Sequence, residues 1–184
     1  MNNAKLLLVI DPNPVEKQAL ACICQELRAQ FKGGKVNVWE LYHITLQYFE
    51  EMPEDRIADI KLAMKKACRG QRSFMMVTGQ PGTTAPADSA RVWIGITEGA
   101  DKLADLHARL DTHLAKADFA ISPDPYVPHI TLGRDLDTTK FKPPVSETLL
   151  ASVNLTGGAL TLLESRYEGD RKVYEPLAVC KFKP

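Results

Sequence analysis

The chain begins with an unbroken apolar run, Leu6-Leu7-Leu8-Val9-Ile10, which halts at Asp11-Pro12-Asn13-Pro14. Such a run is too short to cross a bilayer and is followed by no small-residue cleavage site, so it predicts a buried strand over about residues 4 to 10. From Pro14 the spacing of Val15, Leu20, Ile23, Leu27 and Phe31 predicts an amphipathic helix closed by Gly33-Gly34. A short extended segment over 36–39 leads into a strand over 42–49, where β-branched and aromatic residues crowd together before Glu50-Glu51-Met52-Pro53. A second helix is predicted over about 53–68, with Ile57, Ile60, Met64 and Ala67 on one stripe and Lys61, Lys65 and Lys66 on the wet side. Strands over 73–78 and 91–97 follow, separated by the glycine- and proline-rich stretch 79–86, which reads as a turn-rich mobile connection. Leu103, Leu106, Leu110, Leu114 and Ala117 mark a third helix over 101–118. After a proline-broken loop at 122–125 come a strand over 127–133, a loop over 135–144 and a closing hairpin of 159–167 with 173–182, joined at 168–171.

This layout contains a repeat. Each half runs strand, helix, then a strand carrying His-Ile-Thr-Leu: His43 to Leu46 in the first half and His129 to Leu132 in the second. From the end of the preceding strand to the histidine is 33 positions in the first half (Ile10 to His43) and 32 in the second (Thr97 to His129). On a strand, side chains alternate faces, so each histidine shares a face with the threonine two places on, over an apolar backing of Ile and Leu. If the halves pack about a pseudo-two-fold, two imidazoles and two hydroxyls converge on one small group.

That set of groups suits a phosphate ester. Attack on phosphorus needs a base for the nucleophile's proton and an acid for the leaving oxygen. A pair of histidines, ordinarily titrating near pH 6.5, can hold the two roles at neutral pH. Hydroxyls of Thr45 and Thr131 can donate to the non-bridging oxygens, and the motif calls for no metal and no cofactor. Arg134, five places after His129, adds a guanidinium that can fork onto phosphate, provided the turn at Gly133 redirects an odd offset to the cleft face. Tyr48 stands at the same offset from His43 and offers a surface for a base or ribose. Either tetrapeptide alone is ordinary strand sequence. Two of the chain's four histidines in identical contexts are not.

Other candidates carry less. His107 and His113 are six apart on the third helix, not the four that aligns two ligands, and read as solvated. The glycine pairs at 33–34 and 157–158 and the 79–82 stretch lack phosphate-cradle spacing, and Trp39 and Trp93 read as core or interlobe packing. Cys22, Cys24, Cys68 and Cys180 match neither a metal pair nor a disulfide framework, which points to reduced thiols in the cytoplasm. With 23 basic against 23 acidic residues in 184, the whole surface has no field to steer duplex DNA or a membrane, so any nucleic-acid contact must be local. Length and a 45% hydrophobic content fit one domain, 1–184, made of two small lobes; monomer is the default.

Both HxTx motifs, Pro128 to Arg134 (PHITLGR), Val92-Trp93-Ile94-Gly95, and the closing Leu162 to Tyr167 with Tyr174-Glu175-Pro176-Leu177 resemble the two-histidine (2H) phosphoesterases, in particular the LigT-like RNA 2′,3′-cyclic phosphodiesterases. The resemblance spans nearly the whole chain. It implies a bilobal α+β fold with a pseudo-two-fold repeat, antiparallel sheets facing a central cleft and helices outside. It also implies metal-independent hydrolysis of an RNA end's 2′,3′-cyclic phosphate to a 2′-phosphomonoester. Carried over, His43 is the acid for the departing 3′ oxygen, His129 the base that activates water, Thr45 and Thr131 the holders of the phosphoryl oxygens, and Arg134 the steadying cation. Tyr48 stands where relatives commonly have phenylalanine, and Tyr42 where they often have asparagine. Two alternatives stay open: a binder of nucleotides or RNA ends without turnover, and a 2H enzyme acting on 2′-5′ linkages or a cyclic nucleotide metabolite. The loops at 79–90 and 135–144 are expected to line the cleft rims.

Overall fold

The five-residue apolar run forms the last five residues of β1 (Asn3–Ile10), buried on both faces as its lack of alternation requires. Leu6, Leu8 and Ile10 enter the main core, while Leu7 and Val9 join a small second cluster with Leu163 and Tyr174 on the opposite side. These observations come from a computed structural model that describes residues 3–141 and 152–184. The rest of the chain builds α1 (Pro14–Arg28), β2 (Lys35–Val36), β3 (Ile44–Pro53), α2 (Ile57–Ala67), β4 (Phe74–Thr83), β5 (Ala90–Glu98), α3 (Ala100–Ala115), β6 (His129–Leu136), β7 (Asn154–Gly157), β8 (Ala159–Glu168) and β9 (Arg171–Lys181). The fold is α+β.

Helix α1 starts in a capping box, the Asn13 side chain accepting from the Glu16 amide at 3.0 Å while Glu16 accepts from the Asn13 amide at 3.0 Å. Its stripe differs from the expected one at one end. Val15 is 76% exposed, and Lys17 is buried instead, its ammonium 2.6 Å from Asp11 and donating to the Glu40 carbonyl at 2.9 Å. The ion-paired lysine stays charged while its methylenes lie buried on the core side of the helix. On α3, Leu103, Leu106, Leu110 and Leu114 are fully buried, as the spacing predicts.

All pairings between named strands are antiparallel, in the order β7-β4-β5-β6-β3-β1-β8-β9, with β2 added beside β6. The order has a centre. The two motif-bearing strands, β6 and β3, are neighbours, and β5 and β1, β4 and β8, β7 and β9 follow outward on either side. Between β3 and β6 the register holds one residue pair, Ile44 with Ile130. Beyond it the strands part, and β2 pairs with β6 through Lys35 with Arg134 and Val36 with Gly133, followed by the Asn37 amide donating to the Leu132 carbonyl at 2.8 Å.

One predicted connection is a strand. Residues 79–83 continue β4, pairing Pro81 with Ile94, Gly82 with Trp93 and Thr83 with Val92. The glycines there are not turn residues. They leave room for side chains of β5: a methyl group at Gly82 would overlap the Trp93 ring, and one at Gly79 would press on the Thr97 methyl. Residues 142–144 of the second expected loop, 135–144, lie outside the described residues. Among the described residues no helix is long and apolar enough to cross a membrane, and all four cysteines are free of disulfides.

Candidate active site

Because β3 and β6 run antiparallel through the Ile44–Ile130 pair, their sequence neighbours diverge in opposite senses. His43 lies toward Thr131, and Thr45 toward His129. Each motif's imidazole is thereby set beside the other motif's hydroxyl. His43, Thr45, His129 and Thr131 line one cavity of about 430 Å³, together with Tyr48 and Arg134. All six candidate residues thus meet in one place.

Arg134 and Tyr48 reach it by the same device. On β6, Val92 pairs with Gly133 but the next residue, Trp93, pairs with Thr131, so β6 carries one extra residue there. On β3, Leu8 pairs with Gln47 and Val9 with Thr45, again one extra. Each is a β-bulge, which shifts the alternation by one position and returns the fifth residue to the face of the histidine. The redirection expected for Arg134 is a bulge that includes Gly133, and Tyr48 is turned by its counterpart. The displaced Gln47 points away from the cleft and hydrogen-bonds Asp111 of α3.

The two imidazoles are held alike. His43 Nδ1 donates to the Leu41 carbonyl at 2.8 Å and His129 Nδ1 donates to the Val127 carbonyl at 2.7 Å, each two residues back along its own chain. A carbonyl can only accept, so the proton of each neutral ring sits on Nδ1 and Nε2 is left for a ligand. Each ring also abuts an aromatic: Tyr174 lies edge-on to His43 with centroids 5.1 Å apart, and Trp93 is tilted against His129 at 5.6 Å. Trp93 thus packs between His129 and Gly82 of β4. The hydroxyls of Thr45 and Thr131 have no hydrogen-bond partner among the described residues.

Electrostatically the cavity differs from the neutral whole. Arg91, Arg134 and Lys172 line it with no carboxylate within ion-pair distance among the described residues, and its one carboxylate, Glu50, lies 3.4 Å from Lys5. Burial, and then the positive charges of Lys17, Lys172 and Arg134, push the His43 pKa down to about 4, against the pull of the Leu41 carbonyl. Burial also lowers Lys172, with Arg134 and Lys5 adding to the effect. The cleft thus favours neutral His43 and gathers Arg91, Arg134 and Lys172 without carboxylate partners among the described residues, a combination suited to an anion.

Sequence reasoning missed Arg91, Lys172 and Tyr174. Lys172 and Tyr174 alternate on β9 and so share a face, the signal that would have found them once the hairpin was placed. The reading of His107 as solvated is overturned: its ring stacks on Tyr126 at 4.2 Å and lies 3.3 Å from Asp111, its side chain 17% exposed. Neither histidine of α3 lines the cleft. Of the expected rim residues, Asp135 borders the adjoining groove.

Comparison with known proteins agrees with this architecture. An RNA 2′,3′-cyclic phosphodiesterase of Thermotoga maritima is 26% identical over 97% of this chain and 96% of its own. Another from Methanothermobacter thermautotrophicus is 31% identical over 52% of this chain and 51% of its own. The crystal structure of E. coli LigT complexed with 3′-AMP superposes over all of both chains with a TM-score of 0.78 at 22% identity, a likeness of fold. The family model for the 2′-5′ RNA ligase superfamily matches residues 14–169, and with both motifs inside that span and most of the chain covered, the protein belongs to that superfamily.

Proposed function

We propose that the protein is a metal-independent RNA 2′,3′-cyclic phosphodiesterase that opens a terminal cyclic phosphate to a 2′-phosphomonoester. The observation that carries this reading is the pair of imidazoles presenting free Nε2 atoms into one cationic cavity beside two unpartnered hydroxyls. The names of the Thermotoga and Methanothermobacter relatives support the substrate class.

In the proposed reaction His129 takes a proton from water as its oxygen bonds to phosphorus. The bond from phosphorus to the ribose 3′ oxygen breaks, and His43 delivers its proton to that oxygen. Thr45, Thr131 and Arg134 donate to the non-bridging oxygens as negative charge builds on them, and Tyr48 supports the base or ribose. An acid must be protonated beforehand, whereas the empty cleft favours neutral His43. The incoming phosphate resolves this: its negative charge beside the ring favours the imidazolium against the cost of burial and offsets the nearby cations, so the substrate arms its own acid. One chain supplies both histidines, so the proposed reaction calls for no second copy, and reduced cysteines fit a place of action in the cytoplasm.

The test is product analysis on a short RNA ending in a 2′,3′-cyclic phosphate. The expected product carries a 2′-monoester and a free 3′ hydroxyl, formed at an undiminished rate in the presence of a chelator. A 3′-monoester, or activity that vanishes with chelator and returns with zinc, contradicts the mechanism.

A further inference from the structure

A second groove, of about 640 Å³, adjoins the reacting cavity and shares Asn37, Leu41, Arg134, Lys172 and Tyr174 with it. Its far walls come from two elements. One is the tip of the β8–β9 hairpin: β1 pairs with β8 only from Thr161 to Ser165, so 166–171 overhang the sheet. The other is β2 with the residues after it, wedged where β3 and β6 part. On the hairpin, Tyr167 pairs across with Lys172 and Ser165 with Tyr174, so Tyr167, Lys172 and Tyr174 stand on one face. Tyr167 is 69% exposed, a large ring on that face with little packed against it. Lys35 and Arg171 add cations, and Glu40, Asp135 and Asp170 add carboxylates.

Resting on the reading above, we propose that this groove binds the nucleotide on the 5′ side of the reacting one, and that the enzyme's substrate is an RNA strand and not a free cyclic mononucleotide. The direction follows from covalent chemistry. A ribose whose 2′ and 3′ oxygens are closed on phosphorus can continue the strand only through its 5′ oxygen, and the groove is the continuation of the reacting cavity past Arg134 and Lys172. An exposed tyrosine in a groove also lined by Arg171 and Lys35 offers a stacking platform with cations for the linking phosphate. The three carboxylates keep the groove from being a bare anion trap. They accept from exocyclic amines and ribose 2′ hydroxyls, groups that RNA presents and inorganic phosphate lacks.

The experiment compares kcat/KM for a nucleoside 2′,3′-cyclic phosphate with that for a tetraribonucleotide ending in the same cyclic nucleotide. The wild type is expected to favour the tetranucleotide by about tenfold, the scale of one stacked base. Tyr167→Ala and Arg171→Ala are expected to erase that preference with the mononucleotide rate unchanged, and Tyr167→Phe to keep it. Equal kcat/KM on the two wild-type substrates, or variants that slow both alike, would overturn the proposal. If neither substrate turns over, the proposed function fails separately. The groove is then judged by fluorescence anisotropy with a labelled tetranucleotide ending in a 2′-phosphate. Binding tighter than that of the mononucleotide and weakened by Tyr167→Ala supports it, and equal binding sinks it.

Discussion

The two histidines differ in surroundings although their backbone contacts match. Each donates Nδ1–H to a carbonyl two residues back; His43 faces Lys17, Lys172 and Arg134 from three separate elements and lies against Tyr174, whereas His129 lies against Trp93. Since its pKa is lowered to about 4, protonation costs more in the folded cleft than in the unfolded chain. The sign follows: acidification from about pH 6.5 to about 4 destabilises the wild type relative to His43→Gln, and the difference is absent at neutral pH. Denaturant unfolding at pH 7 and pH 4.5 checks this. NMR titration of the His43 ring is expected to give a midpoint near 4 in the free protein and a higher one in saturating inorganic phosphate; an unmoved midpoint would deny the substrate-armed acid. Replacing either His43 or His129 by Ala is expected to cut turnover by about 10² to 10⁴-fold with thermal unfolding little changed. The meeting of the two histidines in one cavity was legible because the same tetrapeptide occurs twice, and the place of Thr45 and Thr131 beside them followed from alternation. Lys172, Tyr174 and Arg91 were not, because they come from strands whose sequence carries no repeated signal and reach the cavity only through tertiary pairing.

At the level of elements, amphipathic spacing located all three helices, while Val15 and Lys17 show its limit. Periodicity ranks residues by polarity, and a lysine whose charge is met by Asp11 and a carbonyl can be buried where a valine is not. The stretch 79–83 shows a different limit. Its glycines and proline carry the composition of a turn, yet they serve a strand whose neighbour has a bulky residue to accommodate. Gly82→Val is therefore expected to destabilise by about 1–3 kcal/mol, as forced overpacking does, and to lower kcat as well because the displaced Trp93 ring abuts His129. Paired measurements of unfolding free energy and turnover decide it; a loss of stability with full activity would detach Trp93 from catalysis. The paired bulges were half legible. The odd offset of Arg134 requires a redirecting device, and only the register with Trp93 reveals that an inserted residue supplies it.

Across the whole molecule, charge balance and local charge tell different stories. The chain has no net charge, yet Arg91, Arg134 and Lys172 stand unpaired among the described residues around one cavity. Salt is therefore expected to weaken substrate binding through those few contacts alone. The log–log dependence of KM on salt should have a slope of about 0.7 to 1.4, as one or two phosphates at roughly 0.7 each imply; a slope near zero would remove these cations from binding. The doubled layout was legible from the spacing of Ile10 to His43 and Thr97 to His129, whereas the manner of joining was not, because nothing local marks Ile44 and Ile130 as partners. That single rung between the motif strands has a historical consequence. The spacing of the two histidine motifs is set at a contact between two aliphatic residues, so substitutions can accumulate through both halves while the cleft keeps its form, and a fold that superposes on LigT at a TM-score of 0.78 can share only 22% of its residues.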